Sequence, residues 1–234
     1  TAGAPAGIAA ARSGARTLVV EYLDELGGVG TAGVIGSYWY GMREGFTKEI
    51  DAAIGGTNRW PDAKRGGWNI VQKSEWLRRE LLKQGADVWL GCLGCGAAMD
   101  GRRVSGVAVA TPMGVGVVLA RTVVDATGNS DIADCAGAET QFGMTQGGLL
   151  SVQLAGYPQR NMGASVNNTC FALVDDTSVL DMWHLMTWTR AKWGKDGPYD
   201  AGQLVDSRER RRIVADYMLT APDILIRRTF SDTI

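Results

Sequence analysis

The first 21 residues combine glycines, small side chains and one acid at a spacing that suits nucleotide binding. The segment reads TAGAPAGIAAARSGARTLVVE: Gly3 begins a run of small residues, and Glu21 follows an apolar stretch 18 residues later. In dinucleotide-binding folds a G-x-G-x-x-G turn opens a helix that holds phosphate, and an acid about 20 residues later binds the ribose hydroxyls. Gly3 fits the third glycine and Glu21 fits the acid. An ordinary helix–strand hairpin with a glycine-rich start explains this segment equally well.

Two later stretches have the composition of backbone that approaches a ligand closely. LGGVGTAG places Gly27, Gly28 and Gly30 beside the hydroxyl of Thr31. Glycine without a Cβ allows such an approach, although a plain surface loop has a similar composition. TVVDATGNSDIA is an apolar run that breaks at the letters ATG, residues 126–128. The two stretches favour a ligand site over a hairpin.

Cys92 and Cys95 have the C-x-x-C spacing of redox and metal motifs. No second C-x-x-C accompanies them, and they follow a predicted strand instead of opening a helix. The sequence also has a single histidine, His184, which excludes a metal site built from several histidines. We therefore predict structural cysteines and no metal site.

Composition restricts the class of protein. The chain has 234 residues, of which 45% are hydrophobic and 21% are charged, as expected for a soluble globular protein. Its 24 basic and 25 acidic residues give a net charge of −1, which does not favour a nucleic-acid partner. No apolar run is long enough to span a bilayer.

The elements that would position these residues alternate between helix and strand. A helix from Gly3, ended by Gly14, precedes a buried parallel strand that leads to Glu21. A second helix has Ser74 as its predicted N-cap and ends at Gly85. A strand at 88–90, a β-meander over 104–119 and a buried strand at 122–125 follow. This order predicts an α/β fold with a mostly parallel sheet.

Together the three stretches resemble the FAD-dependent oxidoreductases with the glutathione-reductase type of Rossmann domain. The resemblance covers about residues 1–140, and residues 206–234 are similar to a segment of one largely uncharacterised bacterial branch. It implies that the first stretch binds the FAD diphosphate and ribose, the second lies along the ribityl chain and flavin, and the third lies near the cofactor. The cofactor-binding residues that it implies are Gly3, Ala4, Glu21, Gly27, Gly28, Thr31, Ala126, Thr127, Gly128 and Asp131.

The same resemblance implies an incomplete flavoprotein with two parts. The family's first strand, its leading glycines and its C-terminal FAD-binding segment are absent from the sequence. We expect a Rossmann-type FAD-binding domain with a parallel sheet and a β-meander at residues 1–150. Part of a second, substrate-side domain would occupy residues 151–234.

Catalytic residues are not fixed by the sequence. His184 lies in an aromatic-rich predicted helix, where packing is the usual role of a histidine and proton transfer beside a flavin is a second hypothesis. SRERRRI (207–213) reads first as a solvated helix face. Its alternative role is an arginine, Arg208 or Arg212, that binds a substrate carboxylate or steadies the charge of reduced flavin.

The resulting functional prediction is an FAD-dependent oxidoreductase. It would transfer a hydride between a small organic substrate and non-covalently bound flavin, with a cytoplasmic location and no membrane span. Two alternatives remain open at this point. One is a plain NAD(P)-binding Rossmann dehydrogenase, and the other is a non-catalytic FAD-binding structural or assembly component.

Overall fold

The structure, a computed structural model, describes residues 1–33, 36, 44–54, 67–141, 150–158, 167–174, 178–193, 199–207 and 211–230. Its helices are α1 (Gly3–Arg12), α2 (Phe46–Ala53), α3 (Ile70–Lys83), α4 (Asp131–Cys135), α5 (Val179–Trp193) and α6 (Ala221–Leu225). Its strands are β1 (Leu18–Val20), β2 (Asp87–Trp89), β3 (Leu93–Asp100), β4 (Arg103–Thr111), β5 (Gly114–Leu119), β6 (Thr140–Gln141), β7 (Leu150–Pro158), β8 (Asn167–Val174), β9 (Tyr199–Ser207) and β10 (Arg212–Ile213).

The helix α1 packs closely between a parallel strand pair and helix α3. β1 pairs with β2 in parallel, with Val19 opposite Val88. A Cβ added to Gly7 would lie 2.5 Å from Val19 Cγ2 and 3.1 Å from Leu81 Cδ2, so only glycine allows this approach. The small-residue helix and the parallel strand are therefore confirmed. The buried core around them consists of Ala4, Ile8, Ala11, Leu26, Ile50, Ile54, Trp68, Leu77, Leu81 and Ala86.

Helix α3 begins earlier than its sequence pattern suggests. The N-cap is Asn69, whose side-chain oxygen accepts hydrogen bonds from the N–H groups of Val71 and Gln72. The prediction of Ser74 as N-cap is wrong, because Ser74 lies inside the helix and its hydroxyl accepts a hydrogen bond from the Leu26 N–H. An Asn cap satisfies the first-turn donors as well as a serine does. The predicted end is confirmed: α3 ends at Lys83, and Gly85 follows with a φ of 76°.

The predicted meander is present, and it is longer than expected. β3, β4 and β5 form an antiparallel sheet in that order, in which Val109 faces Gly94 on one side and Gly116 on the other. The turn between β4 and β5 is short, so β5 begins at Gly114. Helix α4 packs on this sheet through Ile132, whose side chain lies against Gly94.

Residues 122–125 do not form the predicted buried strand. This segment is not a strand, and Val124 is 65% exposed. An apolar run becomes a strand only when a neighbouring strand satisfies its backbone groups, and no described strand pairs with this segment. Its end nevertheless leads into the ATG turn as expected.

The second half of the chain is built on an antiparallel sheet and one long helix. β7 lies between β8 and β9, and the predicted aromatic-rich helix is confirmed as α5. The charged run 207–213 is not a helix where the structure describes it, because Ser207 ends β9 and Arg212 begins β10. β10 pairs with β6, which joins residues 212–213 to residues 140–141.

Candidate functional site

The N-terminus of α1 lies where the three glycine-containing stretches meet. A Cβ added to Gly3 would lie 3.2 Å from the Cβ of Ala126, so the first and third stretches are in contact. A Cβ added to Gly28 would lie 2.8 Å from the backbone nitrogen of Thr1, which brings the second stretch to the same place. No described side chain caps α1, and its first turn contains no acid. Such a helix end can accept an anion.

The loop 27–33 is held in a fixed shape by Thr31. Gly27 and Gly28 have φ values of 109° and 58°, in the region that favours glycine. The Thr31 side chain is fully buried, and its hydroxyl donates to the Leu26 carbonyl at 2.6 Å. The hydroxyl therefore orders the loop. A hydrogen bond from Thr31 to a ligand would use the remaining lone pair of the hydroxyl or the backbone of Thr31.

Glu21 follows β1 directly and lies beside the start of α1. Its N–H donates to the Trp89 carbonyl, and one of its carboxylate oxygens accepts a hydrogen bond from the Leu23 N–H at 3.1 Å. Glu21 lies near enough to Thr1, two positions before the start of α1, for an electrostatic interaction. The carboxylate is therefore within electrostatic reach of the α1 N-terminus. Its second oxygen has no hydrogen-bonding partner in the described part of the chain.

The ATG turn is organised by Asp125, a residue that the sequence analysis did not single out. One carboxylate oxygen accepts from the N–H and the hydroxyl of Thr127, and the other accepts from the N–H groups of Ile132 and Ala133. Burial opposes ionisation of Asp125, but these hydrogen bonds outweigh it and lower the pKa of the carboxyl group. An acid two residues before a threonine is a recognisable Asx-turn signal.

Arg211 ties the end of the ATG turn to the β10 segment. Its guanidinium lies 3.3 Å from a carboxylate oxygen of Asp131 and 3.2 Å from one of Asp134. Its N–H donates to the Asn129 side-chain oxygen at 3.0 Å, and its carbonyl accepts from the Ser130 hydroxyl at 3.4 Å. The predicted cofactor residue Asp131 is therefore an ion-pair partner. Arg211 stands between the two arginines named as catalytic candidates.

Lys73 is a buried cation beneath the loop 27–33 that the sequence pattern did not reveal. Its side chain is 7% exposed, and its ammonium lies 3.7 Å from the centroid of the Trp68 ring. The Trp68 indole N–H donates to the Gly30 carbonyl at 2.7 Å. Desolvation lowers the pKa of Lys73, and the nearby Asp51 partly offsets this effect. In the sequence Lys73 is one charge in a polar helix, and only the packing of α3 shows it to be buried.

The structure describes two of the three catalytic candidates, His184 and Arg212. His184 is exposed on α5, with its ring 5.2 Å from that of Trp183. Arg212 is half-buried at the start of β10, and Arg208 lies outside the described residues. All three stay predictions.

The two cysteines of the C-x-x-C motif differ in exposure. Cys92 is buried, and its thiol donates to the Leu90 carbonyl, whereas Cys95 is exposed on β3. Within the part of the chain that the structure describes, no three His, Cys, Asp or Glu residues are grouped so that they could hold a metal ion. No helix found there is both long and apolar enough to cross a membrane.

Comparison with known proteins identifies the family. Residues 1–200 match the family described as FAD dependent oxidoreductase. The chain belongs to this family. The description of this family gives FAD as the cofactor and oxidoreduction as the type of reaction. The family match does not support the alternative of a plain NAD(P) dehydrogenase. The glutathione-reductase type and the bacterial branch stay predictions.

Solved structures agree with the α/β prediction and establish the fold. The anhydrotetracycline hydroxylase OxyS from Streptomyces rimosus is 17% identical to this chain with a TM-score of 0.57. The match covers 91% of this chain and 52% of OxyS. A geranylgeranyl bacteriochlorophyll reductase-like protein from Thermoplasma acidophilum is 14% identical with a TM-score of 0.55, at coverages of 90% and 62%. CabE, an aromatic hydroxylase from angucycline biosynthesis, is 15% identical with a TM-score of 0.51, at coverages of 91% and 50%.

The chain thus spans about half to three fifths of the length of these proteins. A comparison with curated protein sequences gave no match.

The residues around α1 fit an FAD diphosphate. The helix end is uncapped by any described side chain, and side chains at Gly3 and Gly28 would fill the space beside it. An acid lies within electrostatic reach of the same helix end. A dinucleotide needs these three features: anion-binding N–H groups, close backbone approach and a ribose acceptor.

Proposed function

We propose that this chain binds FAD across the α1 N-terminus as the nucleotide-binding part of an oxidoreductase. This proposal rests on two close approaches at the uncapped N-terminus of α1: Gly3 lies against Ala126, and Gly28 lies against Thr1. The diphosphate lies at α1, the adenosine ribose hydroxyls bind the Glu21 carboxylate, and the ribityl chain and flavin follow the loop 27–33.

Each stretch of the chain has a separate task in this arrangement. The N–H groups at the start of α1 and the helix dipole stabilise the phosphate charge. The Glu21 oxygen that lacks a described partner accepts the ribose hydroxyls. Thr31 holds Gly27 and Gly28 in the conformations that leave the loop surface clear of side chains. Asp125 and Arg211 fix the ATG turn and position Ala126, Thr127, Gly128 and Asp131 near the cofactor.

The whole protein transfers a hydride between a small organic substrate and flavin. Bound flavin supplies the two-electron chemistry, and the protein supplies binding, orientation and electrostatics. The substrate-side domain begins near residue 151, where the antiparallel sheet of β7, β8 and β9 stands. His184, Arg208 and Arg212 are the candidates for contact with substrate, and we place the protein in the cytoplasm.

The first prediction concerns Glu21. We expect purified protein to bind FAD and to show two flavin absorption bands that bleach with dithionite. Replacement Glu21→Gln keeps the acceptor for the Leu23 N–H but removes the charge that strengthens hydrogen bonds to the ribose. Affinity for FAD should fall about 10- to 100-fold, the equivalent of about 1.5–3 kcal/mol. Quenching of flavin fluorescence during titration measures it.

Asp24→Asn is the matched control, because Asp24 is exposed and follows Glu21 by three positions. Its affinity for FAD should equal that of the wild type. A colourless wild-type protein that does not respond to added FAD would contradict the proposed function. Equal affinities of Glu21→Gln and the wild type would contradict the ribose assignment alone.

A further inference from the structure

Two side chains at the start of α3 hold the backbone of the loop 27–33. The N–H of Leu26, the residue just before the loop, donates to the Ser74 hydroxyl at 3.2 Å. The Trp68 indole N–H donates to the Gly30 carbonyl at 2.7 Å. Leu26 is 1% exposed and Trp68 is 4% exposed, so water competes little with these groups. These two hydrogen bonds, the loop anchors, join α3 to backbone that lies 48 and 38 positions earlier.

The inner side of the loop is packed directly on α3. Thr31 closes the same turn, because its hydroxyl donates to the Leu26 carbonyl at 2.6 Å. A Cβ added to Gly27 would lie 2.6 Å from Thr31 Cγ2 and 3.2 Å from Leu77 Cδ1, and Leu77 is a fully buried residue of α3. The position of the loop therefore depends on the surface of this helix.

The same loop reaches the start of α1. A Cβ added to Gly28 would lie 2.8 Å from the backbone nitrogen of Thr1, and α1 begins two positions later at Gly3. In the sequence Gly28 stands between the two anchored backbone groups, those of Leu26 and Gly30. The loop anchors therefore set how closely the loop approaches α1, where the proposed function places the dinucleotide.

We propose that Ser74 and Trp68 are positioning residues that hold the loop 27–33 where it receives the ribityl chain and flavin of FAD. This inference rests on the proposed function, which assigns the diphosphate to α1 and the ribityl chain and flavin to the loop. Loss of either side-chain partner leaves a backbone N–H or carbonyl unpaired inside the protein, which costs more than the net contribution of the bond. The loop then leaves its binding position, whereas α1 and Glu21 keep theirs. The loop anchors thereby favour a flavin dinucleotide over an adenine nucleotide.

The test compares FAD with ADP, which carries the adenosine and the diphosphate but neither ribityl chain nor flavin. Ser74→Ala removes the acceptor of the Leu26 N–H, and Ser74→Thr keeps a hydroxyl at this position. Trp68→Phe removes the indole N–H and keeps an aromatic ring in the core. Ser105→Ala is the matched control, because the Ser105 hydroxyl makes one part-buried hydrogen bond to backbone, to the Ala98 carbonyl at 3.1 Å in the β3–β4 pair.

We expect Ser74→Ala and Trp68→Phe to weaken FAD binding about three- to tenfold, the range of one hydrogen bond. Affinity for ADP should change by less than about twofold, because ADP does not meet the loop. Ser74→Thr should bind FAD as the wild type does, and Ser105→Ala should change neither affinity. The visible absorption bands of bound FAD should shift in Ser74→Ala and Trp68→Phe, since the surroundings of the flavin change. Flavin fluorescence titration, competition by ADP and absorption spectra of FAD-saturated protein measure these effects without enzyme turnover.

Other outcomes overturn the inference. Equal losses for FAD and ADP would show that the variants disturb the diphosphate site or the whole fold, and unchanged FAD affinity would show that the loop keeps its position without the loop anchors. If Trp68→Phe does not fold, as judged by thermal unfolding, the comparison of Ser74→Ala with Ser74→Thr decides alone. Either result in a protein whose wild type binds FAD refutes the role of Ser74 and Trp68 alone. A wild type without FAD binding refutes the proposed function and this inference with it.

Discussion

At the scale of single residues, the acid that organises the candidate site is Asp125. It receives four hydrogen bonds, two from Thr127 and two from the first turn of α4. The turn includes Ser130, which adopts a φ of 52° that is unfavourable for a residue other than glycine. The Asp125 carboxylate compensates by satisfying donors on both sides of that residue. Asp125 thus positions the backbone that the family resemblance assigns to FAD.

Asp125→Asn should destabilise the protein by about 1–2 kcal/mol at neutral pH. Asparagine retains one acceptor oxygen, but its NH₂ group would face the N–H groups of Ile132 and Ala133. Urea unfolding of the variant and the wild type measures the difference. Asp100→Asn is the control, because Asp100 is exposed at the end of β3, and it should unfold as the wild type does.

The pH dependence of this difference follows from the direction of the pKa shift. Because folding lowers the pKa of Asp125, its stabilising contribution is complete above the unfolded value near 3.8 and is lost as pH falls through the lower folded value. The free-energy difference between wild type and Asp125→Asn should therefore be constant from about pH 5 to 7 and shrink below about pH 4. A difference that grows on acidification would contradict ionised Asp125 as the stabilising form.

At the scale of elements, the ATG turn and β10 are joined through Arg211. The pairing of β10 with β6 returns the chain from the second half to residues 140–141. The ion pairs of Arg211 with Asp131 and Asp134 lie beside that pairing and are partly exposed. A segment from the second half of the chain and the predicted cofactor turn therefore share one set of contacts, although 80 positions separate Arg211 from Asp131 in the sequence.

Arg211→Met should loosen both elements while changing global stability little. Exposed ion pairs contribute about 0.2–1 kcal/mol each, and the backbone hydrogen bonds of Arg211 remain. Amide hydrogen exchange should become faster at residues 129–135 and 211–214 and stay unchanged in α1 and α3. Arg102→Met, at an exposed arginine in the β3–β4 turn, is the control. Unchanged exchange at residues 129–135 would show that the ion pairs do not hold the turn.

At the scale of the whole molecule, the sequence predicted what depends on local pattern. Gly14 and Gly85 marked the ends of α1 and α3, and the sequence pattern marked β4 and β5 but not β3. The sequence pattern gave wrong predictions where contacts with residues distant in the sequence determine the local structure. Residues 122–125 have strand composition but no described neighbour to pair with, and the buried state of Lys73 follows from packing of α3 against a loop 40 or so residues earlier. The Arg211 contacts span 80 and 82 positions and leave no local signal.

The last prediction links cofactor binding to stability of the assembled core. Helices α1 and α3, which border the candidate site, also contribute to the buried core, so FAD should bind the folded chain and not the unfolded one. At 100 times its dissociation constant, FAD should add about 2.7 kcal/mol to the free energy of unfolding, and the midpoint temperature should rise further with each increase in concentration. Differential scanning fluorimetry at several FAD concentrations, read by tryptophan emission, measures this rise.

The increment in midpoint temperature should be smaller in Glu21→Gln at equal FAD concentration, because the dissociation constant of this variant is larger. A midpoint temperature independent of FAD in the wild type would mean that the core does not include the cofactor site. Equal rises in the two proteins would show that Glu21 is not part of that site.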